Sequence, residues 1–228
     1  MSFDRVARSF RLLETIAFGQ SLQRARVRWL ETIPRPQRVL ILGEGNGRFL
    51  CELLRVHPKI DIDCVDASKR MLTLAGTRTR RRHPESWPRV QFIHGDIRNW
   101  SPLHSYDLIV THFFFDCFPR DEVKAIVDKA ARAAAPGAVW LLADFTVPPA
   151  GILARAHAKF WLRIMYLFFR NAAGITANEL VDPSPYLEEH NFLSISRQSS
   201  RVAMLKSELW QQRVSDRSKR DCLKQSSS

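Results

Sequence analysis

The chain has 228 residues, of which 45% are hydrophobic and 25% charged, and its net charge is +12. This length fits one domain with a full hydrophobic core, and the composition excludes wholesale disorder. The four cysteines form no C-x-x-C pair and no cluster with histidine at zinc spacing, so we expect no metal site and a reduced, cytoplasmic setting. Charged residues interrupt the first thirteen positions, which argues against a signal peptide.

The excess positive charge is concentrated in two runs, at residues 78–83 and 213–220. Such runs suit a nucleic acid or an anionic membrane. Solvated basic segments without a partner are the simpler interpretation.

Short β-rich runs alternate with helical stretches from residue 38 onward. The patterns predict five strands and three helices, with Ser68 as the cap of the second helix and Pro136-Gly137 closing the third. The strands are expected at 38–42, 60–65, 90–93, 106–111 and 138–145, and the helices at 48–56, 68–82 and 121–135. This rhythm predicts a parallel sheet with helices on both faces and right-handed crossovers.

The end of the chain has a different pattern. Two β-rich runs, 191–198 and 201–210, are separated by Ser199-Ser200, which predicts a hairpin with a two-residue turn. We therefore expect three parts. They are an N-terminal helical cap at 1–33, an α/β domain at 34–212, and a flexible basic, serine-rich tail at 213–228. The cap either covers the ligand edge of the sheet or simply packs on the sheet.

The segment Gly43-Glu44-Gly45-Asn46-Gly47 lies where the first strand meets the next helix. Glycines there let the backbone turn sharply and approach a ligand. A dinucleotide site would place a pyrophosphate at this helix N-terminus, and Glu44 would repel it. The turn instead favours a cationic ligand such as S-adenosylmethionine, which carries a sulfonium and an ammonium and no phosphate. A tight turn without a ligand is the alternative.

Two aspartates follow the next two strands. Asp66 ends strand two, where a carboxylate can accept hydrogen bonds from both ribose hydroxyls, although it could simply cap the following helix. Asp96 ends strand three, where it could accept the adenine amine while Ile97 packs on the ring, although Gly95-Asp96 could be an ordinary turn. Signals at three consecutive strand ends together predict a nucleoside site.

With these motifs, residues 1–210 resemble the class I S-adenosylmethionine-dependent methyltransferases. They are most similar to the ubiquinone/menaquinone-biosynthesis C-methyltransferases and related small-molecule enzymes. The resemblance rests on Phe3-Asp4-Arg5-Val6-Ala7, the glycine turn, residues 65–72, Gly95-Asp96 and residues 106–110. It implies a Rossmann-like, seven-stranded, mostly parallel sheet in the order 3-2-1-4-5-7-6, with strand seven antiparallel.

The resemblance also implies the cofactor contacts. The three glycines would face the methionine part, Asp66 the ribose, and Asp96 with Ile97 the adenine. Thr111 and His112 would lie beside the reactive methyl group. The full set of cofactor residues that we expect is Gly43, Glu44, Gly45, Asn46, Gly47, Asp66, Ala67, Asp96, Ile97 and Thr111.

Methyl transfer from a sulfonium is an in-line displacement that depends mainly on positioning and water exclusion. A base is needed only where the acceptor must lose a proton. His112 and Asp116, ringed by phenylalanines, are the candidate bases, and Asp144 is a weaker one. His112 could instead be a hydrogen-bonded wall residue, and Asp116 a helix cap or an ion-pair partner.

The stretch 152–170 combines bulky aromatic residues with a cation every four residues, which predicts an amphipathic helix. It could be a core helix, a lid over a lipophilic acceptor, or an interfacial helix. We therefore expect a small hydrophobic acceptor (a quinone precursor, an aromatic or a lipid), with possible peripheral contact at the inner face of a membrane. No Asn/Asp-Pro-Pro-aromatic motif follows strand four, which argues against a nucleic-acid partner as methyl acceptor. The alternatives are a non-catalytic module, or an RNA or protein methyltransferase, that uses its basic surface to bind RNA or an anionic membrane.

Overall fold

The computed structural model describes residues 20–146, 180–200 and 204–214. Most of the predicted cap, the predicted amphipathic helix at 152–170 and nearly all of the predicted tail lie outside these residues. Within the described ranges, no helix is long and apolar enough to cross a membrane.

A seven-stranded sheet forms the centre of the protein, in the order β3-β2-β1-β4-β5-β7-β6. Strands β1 to β5 are parallel, whereas β7 is antiparallel to both of its neighbours, β5 and β6. The strands are β1 Arg38–Leu42, β2 Asp61–Asp66, β3 Val90–His94, β4 Tyr106–His112, β5 Ala134–Phe145, β6 Phe192–Ser200 and β7 Leu205–Gln212. The predicted fold class and strand order are confirmed.

Five α-helices lie among the described residues. They are α1 Ser21–Val27, α2 Arg48–Val56, α3 Lys69–Arg82, α4 Arg120–Arg132 and α5 Ser184–Glu189. The Ser68 hydroxyl accepts a hydrogen bond from the Met71 N–H at 3.2 Å, so the predicted cap of α3 is confirmed. Short 3₁₀ turns precede β3, at Trp87–Arg89, and follow β4, at Phe115–Cys117.

Apolar residues on alternating positions of the strands divide the core into two layers. Leu40 and Leu42 of β1 belong to the cluster that contains α4 and α5. Val39 and Ile41 belong to the cluster that contains α2 and α3. One face of the sheet therefore carries α2 and α3, and the other carries α4 and α5. The carboxyl ends of β1 to β5 meet at one edge, which we call the carboxyl edge.

The helix predicted at 121–135 is wrong at its C-terminal end. Helix α4 ends at Arg132, and residues 134–137 already belong to β5. A register shift lies between the pairs Tyr106–Ala134 and Leu108–Val139. From one pair to the next, β5 runs for five residues and β4 for only two. Gly137 has a φ of +80°, which only glycine adopts easily, and Pro136 cannot donate to a ladder. The two residues form an irregularity in the strand and do not end the helix.

The predicted two-residue hairpin turn is also wrong. Ser199 and Ser200 are paired with Lys206 and Leu205, so β6 continues to residue 200. Met204, directly before β7, has a φ of +50°. Serines on this exposed edge strand extend the ladder because their backbone groups pair whatever the side chain.

Candidate cofactor and active site

The three glycines of the turn after β1 have left-handed backbone conformations, with φ of +70°, +71° and +80° at Gly43, Gly45 and Gly47. A Cβ atom on Gly47 would lie 2.7 Å from the Ala75 Cα, so this glycine permits α3 to pack against the turn. A Cβ atom on Gly43 would lie 2.5 Å from the ring of Phe114. A Cβ atom on Gly45 would meet nothing within 4 Å. Of the three, Gly45 is the one whose backbone faces open space.

Asp66 joins the glycine turn to the end of β2. Its Oδ2 accepts a hydrogen bond from the Gly45 N–H at 3.0 Å, and its Oδ1 accepts one from the Ser68 N–H at 2.8 Å. Burial raises the pKa of this carboxyl, against the effect of the two N–H donors. Asp66 therefore holds Gly45 and the turn before α3, whose cap is Ser68, and ribose binding by Asp66 stays a prediction.

Glu44 caps helix α2. Its Oε1 accepts a hydrogen bond from the Leu50 N–H at 3.0 Å, which satisfies one of the free donors of the first helical turn. Burial raises the pKa of Glu44 to about 7, while the Leu50 N–H and the nearby charge of Arg26 lower it. A role in cofactor binding stays a prediction for this residue.

Asn46 and Ala67 are fixed by neighbours. The Asn46 side-chain oxygen accepts a hydrogen bond from Arg78 Nη1 of α3 at 2.8 Å, and its carbonyl oxygen accepts another from the same nitrogen. The Ala67 carbonyl lies 3.2 Å from His94 Nε2, at the end of β3. These bonds tie the turn to α3 and the end of β2 to the end of β3.

Asp96 forms an ion pair with Arg98, whose Nε lies 2.9 and 3.0 Å from the two carboxylate oxygens. The hydrogen bonds from Arg98 hold the pKa of Asp96 below its usual value. Ile97 is buried in the core cluster on the α4 side. The strand ends themselves are joined, because the Gly95 N–H donates to the Asp66 carbonyl and the Gly43 N–H donates to the Val65 carbonyl.

Thr111 and His112, at the end of β4, point to opposite faces of the sheet. The buried Thr111 hydroxyl accepts a hydrogen bond from Trp140 Nε1 at 2.8 Å on the α4 side. The His112 ring packs edge-on against Phe49 of α2, with centroids 4.5 Å apart. His112 Nδ1 is buried without a hydrogen-bond partner. Burial, with the charge of Arg26, lowers the pKa of His112 well below its usual value, so the ring is neutral.

Asp116 and Asp144 interact electrostatically. Burial raises the pKa of Asp116 to about 6. Burial, and then the charge of Asp116, raises the pKa of Asp144 well above its usual value. Burial raises the pKa of the Cys117 thiol, and the charges of Asp116, Asp144 and Asp66 raise it further. The three carboxyls therefore lie within electrostatic range of one thiol. Of the candidate bases, Asp116 and Asp144 lie within electrostatic range of each other, whereas His112 packs against Phe49 of α2.

The chemistry of these side chains fits S-adenosylmethionine. Glu44, Asp66, Asp116 and Asp144 are carboxyls whose pKa values burial raises, so a bound cation would be favourable among them. At Gly45 no atom of the described residues lies within 4 Å of where a Cβ atom would stand, so a ligand can approach the backbone there. Among the described residues, no group of three or more His, Cys, Asp or Glu side chains could hold a metal ion.

Sequence reasoning missed two charged neighbours of this site, Arg26 and Lys206. Arg26 of α1 lies over the Phe113 ring at 5.1 Å from its centroid. Phe113 has a φ of +53°, uncommon for a bulky residue, and the ring of Phe114 lies against Gly43. Lys206 of β7 is paired with Asp144 across the strands and lies 2.8 Å from Asp182 Oδ1. Arg26 and Lys206 are distant in sequence from every motif, so no local pattern could have indicated them.

Comparison with known proteins agrees with this geometry. Residues 39–137 match the family model described as a methyltransferase domain. The chain is 38% identical over 84 residues to a malonyl-[acyl-carrier protein] O-methyltransferase of Halalkalibacterium halodurans. It is 34% identical over 120 residues to a demethylmenaquinone methyltransferase of Thermotoga maritima. These matches cover 35% and 51% of this chain and 29% and 48% of the relatives, so they span about half of each relative's length or less.

Solved structures share the fold at low sequence identity. The mitomycin 7-O-methyltransferase MmcR aligns with a TM-score of 0.67 and 15% identity, over 93% of this chain and 61% of that one. The N-methyltransferase NodS of Bradyrhizobium japonicum aligns with a TM-score of 0.58 and 17% identity, over 84% of this chain and 92% of that one. NodS has also been solved with S-adenosyl-L-homocysteine. Residues 39–137 therefore match a methyltransferase domain, and the fold is the one that these solved methyltransferases share.

Proposed function

We propose that this protein transfers the methyl group of S-adenosylmethionine to a small hydrophobic acceptor. The observation that carries the proposal is the hydrogen bond between Asp66 and Gly45, within a set of buried and half-buried carboxyls at the carboxyl edge. The bound cofactor would supply a methyl group already activated by the sulfonium. The remaining task of the protein is to position the acceptor and to exclude water.

Asp66 has the capacity to bind the ribose. A carboxylate has about four lone-pair sites, and backbone N–H groups occupy one on each oxygen. One site on each oxygen is therefore left for a hydroxyl. Gly45 offers its uncovered backbone to the methionine part, and Asp96 remains our proposed acceptor for the adenine amine, beside Arg98.

Aromatic rings after β4 support a hydrophobic acceptor. Phe113, Phe114 and Phe118 are half-buried at the carboxyl edge. Phe114 and Phe118 have centroids 5.0 Å apart, and Phe113 lies 5.0 Å from Phe145. Such a surface suits a flat apolar ring, because offset stacking and edge contacts add to the gain from burial. Of the two relatives' acceptors, it favours the quinone type over the acyl carrier protein.

A proton must leave the acceptor where that acceptor is a phenol or a carbon acid. Asp116 suits this task, since a carboxyl with a pKa of about 6 is largely ionised at pH 7 yet more basic than an exposed aspartate. His112 is the weaker alternative, because its neutral imidazole can accept a proton while burial and the charge of Arg26 disfavour the imidazolium that would form. The two side chains have different neighbours, so we treat them as alternative bases and not as a pair.

The test is methyl transfer from S-adenosylmethionine labelled in the methyl group. Lipid and quinone extracts, RNA and total protein are offered as acceptors in parallel. We expect label in the organic-extractable fraction. Asp116→Asn or His112→Asn, whichever residue is the base, should lower the rate by roughly 10²- to 10⁴-fold. Asp121→Asn, at an exposed position of α4, is the matched control and should not change the rate.

Each of the other outcomes would contradict one part of the proposal. Label in RNA or protein alone would contradict the small-molecule acceptor. Cofactor binding without label in any fraction would favour the non-catalytic alternative. Equal rates for both Asn variants and the wild type would show that no base is used at either position.

A further inference from the structure

The helices on the two faces of the sheet differ strongly in charge. Helices α1, α2 and α3, which we call the basic helix layer, contain ten cationic side chains and one acidic one, Glu52. Helices α4 and α5 contain four cationic and five acidic side chains. The positive charge of this part of the chain is therefore on one side of the molecule.

The cations of the two sides also differ in their partners. Nine exposed cations on or next to the basic helix layer form no ion pair with an acid of the described ranges: Arg24, Arg28, Arg35, Arg48, Lys59, Lys69, Arg80, Arg81 and Arg82. On α4, Lys124 pairs with Glu189 and Asp128, and Lys129 donates to three backbone carbonyls.

Helix stability explains only part of this pattern. Arg80, Arg81 and Arg82 lie in the last turn of α3, where cations complement the helix dipole. Arg24 in the last turn of α1 and Arg28 at its C-cap have the same favourable placement. The other four, Arg35, Arg48, Lys59 and Lys69, do not. Lys69 begins α3 and Arg48 begins α2, at the helix ends where a cation is unfavourable. The helix dipole does not explain the placement of these four exposed cations, which suit an anionic partner.

The shape and composition of the layer indicate the partner. Helix α3 has 14 residues and is about 21 Å long, and its cations lie at both ends. Because α1 and α2 lie on the same side as α3, the charges of the layer are spread over a surface, which suits a plane of lipid headgroups. A single line of cations would suit a nucleic-acid strand instead. The large exposed apolar residues of the described ranges, Leu103, Leu193, Ile195 and Val214, all lie outside these helices.

We propose that the basic helix layer adsorbs the protein to an anionic phospholipid bilayer by electrostatic attraction, without insertion. The purpose of this contact rests on the proposed function, because a bilayer is where a lipophilic acceptor dissolves. The charges nearest the carboxyl edge, on Arg48 and Lys69, would hold that edge close to the membrane surface.

Vesicle sedimentation tests the proposal without any methyl transfer, so its failure and that of the proposed function are distinguishable. The probes are vesicles of phosphatidylcholine alone and of phosphatidylcholine with 30% phosphatidylglycerol or phosphatidylserine. We expect binding only to the anionic vesicles, and its loss in 1 M salt, where the Debye length falls to about 3 Å. Binding to neutral vesicles, or binding that persists in 1 M salt, would overturn the proposal.

A matched pair of variants locates the surface. Replacing Arg80, Arg81 and Arg82 by Gln removes three charges from the layer. Each basic residue near an anionic membrane changes the binding constant by about five-fold, so the triple variant should bind roughly 100-fold more weakly. Replacing Arg120, Lys124 and Arg132 of α4 by Gln removes the same net charge and should have far less effect. Equal losses in both, or tighter binding to an RNA of matched phosphate concentration than to anionic vesicles, would contradict the proposal.

Discussion

The Asp66 carboxylate accepts a hydrogen bond from the Gly45 N–H at 3.0 Å, so the end of β2 holds open the turn that follows β1. The second oxygen holds the Ser68 N–H, at the entry to α3. One carboxyl group thereby sets the position of the glycine turn and of the next helix. The predicted cofactor site depends on this bond because Gly45 is the glycine of the turn with open space beside it.

Alanine at Gly45 and at Gly47 should separate cofactor binding from folding. Both glycines have a left-handed φ, which costs another residue about 1 kcal/mol. In Gly47→Ala the new Cβ atom would also collide with Ala75, so we expect a loss of roughly 3 kcal/mol or more in unfolding free energy. In Gly45→Ala nothing obstructs the methyl group, so the protein should stay folded and lose affinity for S-adenosylmethionine.

Urea unfolding and calorimetry measure these two effects. If Gly45→Ala binds the cofactor as the wild type does, Gly45 does not face the ligand. If Gly47→Ala is as stable as Gly45→Ala, the close packing of the turn on α3 is incorrect.

Glu44 should make the stability of the protein fall as the pH rises. Its pKa is about 7 in the folded protein and near 4.5 in an unfolded chain, so the native state binds more protons between these values. The free energy of unfolding therefore decreases from about pH 4.5 to about pH 7, by up to about 3 kcal/mol. Glu44→Gln keeps an acceptor for the Leu50 N–H and removes this titrating group, so it should make the slope shallower, and the part that remains comes from the other carboxyls with raised pKa values.

The measurement is urea unfolding at pH 5.5 and pH 8 for both proteins, with Glu52→Gln on the exposed side of α2 as the control. A wild-type stability that does not fall over this range, or an unchanged slope in Glu44→Gln, would contradict a buried Glu44 with a raised pKa.

Asp116 should control the pH dependence of methyl transfer if it is the base. Its pKa of about 6 predicts that kcat/KM rises as the pH increases through 6 and then levels off. Asp116→Asn should remove this ionisation from the profile, while Asp121→Asn should leave it in place. A profile that keeps its step near pH 6 in Asp116→Asn would assign that ionisation to another group.

Much of the site could be predicted because its signals are local. The glycines follow β1 directly, Asp66 ends β2 and Asp96 ends β3, and the carboxyl ends of parallel strands meet at one edge. The two β-rich runs at the end of the chain predicted the antiparallel hairpin, and the family resemblance implied the strand order; the structure confirms both.

What could not be predicted depends on contacts distant in sequence or on backbone detail. Glu44 caps α2 through Leu50, a bond that requires the chain to fold back within the turn. Arg26 of α1 contacts the Phe113 ring after β4, although the two residues are 87 positions apart in the sequence. Pro136-Gly137 has the composition of a helix terminator, yet the pairing of Tyr106 with Ala134 draws the segment into β5. In each case a contact made in the folded protein determines the structure, and the local sequence pattern does not reveal that contact.

The proposed function depends most directly on whether Asp66 and the glycine turn hold a nucleoside. Isothermal titration calorimetry with S-adenosylmethionine tests this for the wild type, for Asp66→Ala, and for Asp61→Asn at the opposite end of the same strand. We predict saturable binding to the wild type, at least a ten-fold weaker affinity for Asp66→Ala, and an unchanged affinity for Asp61→Asn. No binding heat at any cofactor concentration, or equal affinities for Asp66→Ala and the wild type, would contradict the account.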